Sequence, residues 1–264
     1  MSGRHRGPAA ISPTDPDAVR RARAVVFVTD LAAPELEPAD AHHLAQVLRL
    51  GDGDPVVAAD GTGAFCPCRI AIAKSPPAGA ARARRPAPVR LRRDGPVAGT
   101  PPPDPPLGVG FALHKGERPE WAVQKLTELG IDRIITFTTE RTVVRLDAAA
   151  ARRRGDRLRR VAREAAAQCR RLTLPLVDDP VGYAEVLARF GIGLAVAEPG
   201  APPITAATTC VLVGPEGGFT DGELARAPAL VGLTDTVLRA ETAAVTAGAL
   251  LVAIRSGRLR PAGD

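Results

Sequence analysis

The chain has 264 residues, of which 45% are hydrophobic and 24% charged, so it is long enough for two folded domains and is not disordered throughout. No apolar run approaches the ~20 residues of a membrane helix, and no apolar segment follows the arginines near the amino terminus as a secretory signal requires. We therefore expect a cytoplasmic protein without a membrane span. The formal net charge of +6 favours an anionic partner.

The cysteines predict reduced thiols and no metal site. Cys66 and Cys68 have no second pair at matched spacing, and the four histidines offer no helical i, i+4 pair. We expect these two cysteines, with Cys169 and Cys210, to be reduced and structural in a reducing compartment.

The first third of the chain predicts a small β-rich domain. We expect a mobile, arginine-rich tail over residues 1–22 and a domain over residues 23–95. Its predicted elements are strands at Val25–Val28, Pro55–Ala58, Phe65–Ile72 and, at an edge, Val89–Arg93, with one short helix at Asp40–Leu50.

The remainder predicts an α/β domain over residues 107–264, after a proline-rich linker at residues 96–106. Apolar runs alternate with segments of helical period, as in a mainly parallel sheet. The predicted strands are Gly108–Leu113, Arg133–Thr138, Gly193–Ala197, Cys210–Val213 and Thr236–Leu238. Pro119 and Gly130 bound one predicted helix, and a second, over Asp156–Leu172, carries a cationic face that ends at Arg171.

A glycine loop follows the strand Cys210–Val213, and Thr220 and Glu223 have the spacing of a capping box for the next helix. A strand, a glycine loop and a helix start form a nucleotide-type site in open α/β sheets. Glu216 lies in the turn and would repel phosphate, so a ligand with an adenosine-like body and a positive centre fits better. S-adenosylmethionine has these properties. A turn whose glycines serve only backbone geometry is the alternative.

A second strand-to-helix step, Val237-Leu238-Arg239-Ala240-Glu241-Thr242, favours the ligand site. It places Arg239 and Glu241 at the carboxyl end of a predicted strand, where α/β sheets bind ligands.

Six ordered motifs now identify a resemblance that spans roughly residues 25–255. They are His43-Leu44-Ala45-Gln46-Val47-Leu48-Arg49; Lys115-Gly116-Glu117 with Gln124-Lys125-Leu126-Thr127-Glu128-Leu129-Gly130; Thr139-Glu140-Arg141-Thr142; Gln168-Cys169-Arg170-Arg171; the Gly214 to Phe219 loop; and Leu238-Arg239-Ala240-Glu241-Thr242-Ala243. The chain resembles the bacterial small-subunit (16S) rRNA uridine-N3 methyltransferases, the RsmE-type branch of the SPOUT superfamily.

The resemblance implies a PUA-like β-barrel domain for RNA, followed by an α/β methyltransferase domain with a trefoil knot around S-adenosylmethionine. It also implies a homodimer that acts on small-subunit ribosomal RNA or the assembled subunit. Two departures stand out: Thr234-Asp235-Thr236 replaces a usual Gly-Pro-Arg, and Arg170 replaces a usual glycine.

The motifs then assign the site residues. For the cofactor we expect Val213, Gly214, Glu216, Gly217, Gly218, Val237, Leu238, Arg239 and Thr242. Arg141 and Arg239 are the predicted catalytic residues, which would stabilise the uracil anion; phosphate or carboxylate binding is the alternative role. For RNA we expect Arg23, His43, Arg49, Lys125, Arg141, Gln168 and Arg171, with helix packing as the alternative for His43. A knotted 2′-O-ribose methyltransferase and a non-catalytic RNA-binding or ribosome-assembly module are the competing functions.

Overall fold

The computed structural model describes residues 18–72, 89–114, 118–190 and 192–260. Its contacts divide the chain into two compact units: Met1–Pro102 with Ala166–Thr173, and Pro103–Ala165 with Leu174–Asp264. Of the tail predicted over residues 1–22, residues 1–17 lie outside the described residues, whereas Ala18–Arg21 forms helix α1.

The first unit contains a five-stranded, mainly antiparallel sheet. Its strands are β1 (Val25–Phe27), β2 (Pro55–Ala59), β3 (Ala64–Ile72), β4 (Val89–Arg93) and β5 (Ala98–Gly99). They pair in the order β1-β2-β3-β4, with β5 also on β3, and only β1 and β2 are parallel. Buried Leu44, Val56, Cys66 and Ile70 belong to its core.

Two features of this unit differ from the prediction. The expected single helix at Asp40–Leu50 is α2 (Pro38–His42) followed by a π-helical segment, His43–Val47. Proline is favourable in a first helical turn, where its missing N–H is not needed, so the helix begins earlier than predicted. Part of the predicted linker is strand β5, in which Ala98 and Gly99 pair with β3. The strand has only two residues because the neighbouring prolines cannot donate a hydrogen bond to a sheet.

The second unit is an α/β domain with a parallel seven-stranded sheet. Its strands are β6 (Gly108–Ala112), β7 (Arg133–Thr138), β8 (Leu176–Val177), β9 (Val181–Gly182), β10 (Leu194–Ala197), β11 (Cys210–Val213) and β12 (Leu230–Val231). The order is β12-β10-β11-β6-β7-β8, with β9 also on β7. The remaining helices are α3 (Arg118–Leu129), α4 (Ala148–Cys169), α5 (Tyr183–Arg189), α6 (Asp221–Leu224) and α7 (Ala240–Arg255).

The long apolar runs reflect burial on both faces of this sheet. In β11, Val211 and Val213 contribute to one core, while Cys210 and Leu212 contribute to the other. Successive side chains of a strand point to opposite faces, so a strand covered on both sides is apolar throughout. The first core also includes residues of α3, α4 and α7, and the second includes residues of α5.

The predicted strand Thr236–Leu238 is wrong. The structure instead has β12 at Leu230–Val231, which pairs with β10, and an irregular segment at 236–238. Val237 is 84% exposed, and Leu238 packs against the core without pairing with a strand, so the two apolar residues that predicted this strand form no sheet ladder. The helix predicted from Asp156 begins at Ala148, because Asp147 accepts a hydrogen bond from the Ala150 amide at 2.7 Å and caps an alanine-rich first turn.

Helices α3 and α4 end in the same backbone motif with different residues. After α3, Gly130 has φ of 95°, and the Ile131 amide donates to the Leu126 carbonyl at 3.0 Å. After α4, Arg170 has φ of 60°, and the Arg171 amide donates to the Ala166 carbonyl at 2.9 Å. Both are Schellman ends, in which the left-handed residue is usually glycine. Arg170 therefore occupies a position that favours glycine, which explains why glycine is usual there; nothing in the structure explains the arginine.

Candidate functional site

A cavity of about 300 Å³ opens at the carboxyl ends of β10 and β11, beside the start of α7. Open α/β sheets bind ligands at this edge of the sheet. The lining residues are Ala197, Glu198, Pro199, Val213, Gly214, Pro215, Glu216, Gly217, Gly218, Phe219, Leu233, Thr234, Thr236, Val237, Leu238, Ala240 and Ala243.

The glycine loop forms one wall through a tight turn. The Gly218 amide donates to the Pro215 carbonyl at 2.8 Å, and Gly218 has φ of 69°, a conformation that glycine adopts without strain. The predicted capping box follows: the Glu223 amide donates to Thr220 Oγ1 at 3.2 Å, and the Thr220 amide donates to Glu223 Oε2 at 2.9 Å. The loop thus leads directly into a capped helix.

Carboxylates give the cavity its charge. Glu198 and Glu216 line it, and no lysine, arginine or histidine is among the described lining residues. Arg118 Nη1 lies 3.3 Å from Glu216 Oε1 and Arg118 Nε lies 3.6 Å from Glu241 Oε1. About half of the Arg118 and Glu216 side-chain surface is exposed, so solvent weakens this ion pair. The cavity therefore favours a positively charged ligand over a phosphate.

Seven of the nine predicted cofactor residues line the cavity: Val213, Gly214, Glu216, Gly217, Gly218, Val237 and Leu238. Arg239 is the exposed residue that precedes α7, and neither it nor Thr242 is in the lining. Sequence reasoning missed Glu198, although it directly follows β10, a strand that was expected. Its sequence signal is its place at the carboxyl end of β10, which corresponds to the place of the glycine loop at the carboxyl end of β11.

Arg141 contacts the glycine loop. Its Nη1 donates to the Gly217 carbonyl at 2.7 Å and to the Phe219 carbonyl at 3.1 Å. The turn that carries it, residues 139–142, is held by buried threonines: the Thr139 amide donates to Thr142 Oγ1 at 2.8 Å. The Lys115-Gly116-Glu117 part of the second motif lies outside the described residues.

The predicted RNA residues fall in both units. Arg23, His43, Arg49, Gln168 and Arg171 belong to the first unit, whereas Lys125 and Arg141 belong to the second. Arg171 Nε donates to Thr173 Oγ1 at 3.0 Å, and Lys125 Nζ lies 2.9 Å from Glu128 Oε2.

The first unit presents one unusual surface segment. His43, Gln46 and Arg49 are exposed on or directly after the π-helical segment, and Arg49 has φ of 51°. Isolated π-helical turns and left-handed non-glycine residues occur frequently at functional sites. This geometry favours a binding role over helix packing for His43.

Two buried cysteines, Cys68 and Cys210, hold their protons strongly. Burial raises the pKa of Cys210 to about 12, and burial with the neighbouring Cys66 raises that of Cys68 to about 12. Within the described ranges, no cluster of three or more histidine, cysteine or acidic side chains could hold a metal ion. No helix in the described part of the chain is long and apolar enough to cross a membrane.

The parallel sheet, the glycine loop and the acidic cavity define an α/β domain built to bind a nucleoside-type ligand. Comparison with known proteins makes the class specific. Residues 101–252 match the family of the RNA methyltransferase domain, and residues 36–76 match the RNA methyltransferase PUA domain.

The whole chain also has relatives of similar length. It is 35% identical over 222 residues to ribosomal RNA small subunit methyltransferase E of Mycobacterium tuberculosis, covering 78% of this chain and 80% of the relative. The Bacillus subtilis protein of the same name is 26% identical over 229 residues, covering 77% and 83%.

Solved structures share the fold. A Legionella pneumophila protein in complex with S-adenosylmethionine aligns with a TM-score of 0.71 at 26% identity, over 87% of this chain and 96% of that one. Ribosomal RNA small subunit methyltransferase E of Neisseria gonorrhoeae, bound to S-adenosylmethionine, aligns with a TM-score of 0.70 at 24% identity, over 88% and 97%.

The chain belongs to the RNA methyltransferase family that includes ribosomal RNA small subunit methyltransferase E. This confirms the resemblance carried by the six motifs, the α/β class of the second domain and the PUA domain before it. The trefoil knot, the closed barrel and the predicted domain boundaries stay predictions.

Proposed function

We propose that this protein transfers a methyl group from S-adenosylmethionine to N3 of a uridine in small-subunit ribosomal RNA. The observation that carries the proposal is the cavity at the ends of β10 and β11, which combines a glycine wall with two carboxylates. The names of its relatives support the ribosomal substrate, and the motifs support the N3 position.

The residues of the cavity fit the methyl donor. S-adenosylmethionine supplies an electrophilic methyl group on a positively charged sulfur. Gly214, Gly217 and Gly218 line the cavity, and with no side chains of their own they let an adenosine approach the loop backbone closely. Glu198 and Glu216 attract positive charge, and Leu238 adds apolar contact.

Positioning is the main catalytic contribution of the chain. Alignment of N3 with the methyl group accounts for about 7 to 11 kcal/mol of barrier lowering in well-oriented reactions. Exposed His43 and Arg49 would bind RNA, with the target base unstacked so that N3 is reachable.

Arginines would stabilise the uracil as its N3 proton leaves to solvent. The departing proton leaves negative charge on the uracil oxygens, which a fixed guanidinium stabilises. Only Nη1 of Arg141 has a hydrogen bond within the described structure, so its Nε and Nη2 can serve the substrate. Arg239 is exposed at the start of α7, beside the cavity residues Leu238 and Ala240.

Primer extension tests the reaction. Ribosomal RNA from cells with and without the gene is copied by reverse transcriptase, since a methyl group on N3 blocks base pairing and stops the enzyme. We expect one stop that depends on the gene and is restored by purified protein with S-adenosylmethionine. A ribose methyl leaves pairing intact. Read-through by the reverse transcriptase, together with incorporation of a labelled methyl group from S-adenosylmethionine into the RNA, would therefore support the 2′-O alternative. No incorporation of the labelled methyl group would support a non-catalytic module.

We also propose a homodimer in the cytoplasm. The family resemblance supports the dimer, and Val237, 84% exposed, and Trp121, 44% exposed, are apolar side chains that a partner chain would cover. Light scattering should give twice the chain mass of 27.4 kDa. A single-chain mass at micromolar concentration would contradict the dimer.

A further inference from the structure

A buried carboxylate joins the two loops at the sheet edge. Glu223 is 3% exposed, and its two oxygens accept from different loops. Oε1 accepts from the Glu140 amide and Oε2 from the Thr220 amide, each at 2.9 Å. The first of these bonds connects residues 83 positions apart.

Arg141 makes a second connection between the same loops. It follows Glu140, and its Nη1 donates to the Gly217 and Phe219 carbonyls. The turn at residues 139–142 therefore binds the glycine loop through Arg141 and binds the residues after that loop through Glu223. Tyr183 adds support, because its hydroxyl donates to the Glu223 carbonyl at 3.1 Å.

We propose that Glu223 is a positioning residue, which holds the Arg141 turn and the glycine loop in one arrangement and thereby sets the shape of the cofactor cavity. The link to the cofactor rests on the proposed function. The link between the loops does not.

The chemistry requires a carboxylate at this position. Both backbone partners are donors, and an ionised carboxylate has an acceptor oxygen for each. A glutamine has the same shape but only one oxygen, so its amide group would face one of the two N–H groups. Hydrogen bonds to a buried charged acceptor are stronger than neutral ones, so this change breaks one of the strongest contacts between the loops.

The test compares Glu223→Gln with Thr220→Ala. The matched control removes the other half of the capping box, the bond from the Glu223 amide to Thr220 Oγ1, and leaves the bond to Glu140 in place. Calorimetry with S-adenosylmethionine gives donor affinity, steady-state kinetics gives KM and kcat, and urea unfolding gives stability.

We expect Glu223→Gln to weaken donor binding about tenfold or more and to raise KM for the donor more than it lowers kcat. Thr220→Ala should stay within about threefold of the original affinity at a comparable loss of stability. Equal losses of affinity in the two variants, or an unchanged affinity in Glu223→Gln, would overturn the proposal.

Amide hydrogen exchange gives a result that does not depend on the donor. The Glu140 and Thr220 amides should exchange slowly in the original protein, and at least one of them much faster in Glu223→Gln. Unchanged exchange would overturn the positioning role. If the original protein binds no S-adenosylmethionine while exchange changes as expected, the proposed function fails and the connection between the loops stands.

Discussion

Replacing Gly214 with alanine should disturb both stability and donor binding. A Cβ atom at this position would lie 2.8 Å from Cε2 and 2.9 Å from Cδ2 of Phe219, whereas carbon atoms in contact are about 3.5 to 4.0 Å apart. The Phe219 ring cannot easily move away, because it is 5% exposed and stacks on Phe137 with ring centres 6.3 Å apart. Its ring centre also lies 5.2 Å from that of Tyr183. Overpacking of this kind costs about 1 to 3 kcal/mol.

Urea unfolding and calorimetry with S-adenosylmethionine measure the two effects. Gly222→Ala is the control: its Cβ would meet only Thr220 Oγ1 at 3.9 Å, and alanine favours the helix. Adding Phe219→Leu should restore part of the stability lost in Gly214→Ala, since the two sites are in contact. If Gly214→Ala unfolds at the original urea concentration and binds the donor unchanged, the packing argument is refuted.

Three further changes have defined outcomes. Glu198→Gln should lower the preference for S-adenosylmethionine over S-adenosylhomocysteine by about threefold to tenfold, because only the former has a charged sulfur. Calorimetry with both ligands measures the ratio of their affinities, and an unchanged ratio would exclude the electrostatic role of Glu198. Burial, then the charge of Glu223, raises the pKa of Tyr183, while Arg226 lowers it. Glu223→Gln should therefore lower the pKa of this single tyrosine in an ultraviolet titration, and a constant midpoint would contradict the charge effect. Arg170→Gly should have a free energy of unfolding about 1 kcal/mol higher than Arg170→Ala in urea titrations, because both variants lose the arginine side chain and only glycine suits the left-handed backbone. Equal free energies would show that the backbone at this position is not strained.

The sequence predicts best where the physical pattern is local. Strands β7 and β11 have the predicted bounds, because burial makes β11 a continuous apolar run and β7 a run of β-branched and aromatic residues after Arg133. The capping box is confirmed in both of its bonds, since its spacing depends only on one turn of helix.

Long-range pairing explains what could not be predicted. Strand β12 has two residues, too few for a pattern, while the apolar residues at 236–238 carry a strand-like pattern without a partner. The hydrogen bond between Glu140 and Glu223 has no sequence pattern, because it depends on how β7 and β11 are placed in the sheet. The wall of the cavity at Glu198 was predictable in principle from its position after β10.

Among the described residues, those that line the cavity all lie between Ala197 and Ala243, a stretch less than one fifth of the chain. The residues expected to recognise RNA in the first unit, such as Arg49 and Arg171, lie outside that stretch. Mutations that retarget the protein to another nucleotide can therefore accumulate without altering donor binding. Conversely, an exchange of this stretch between relatives should transfer donor affinity when the turn at residues 139–142, which binds it through Arg141 and Glu223, is exchanged with it.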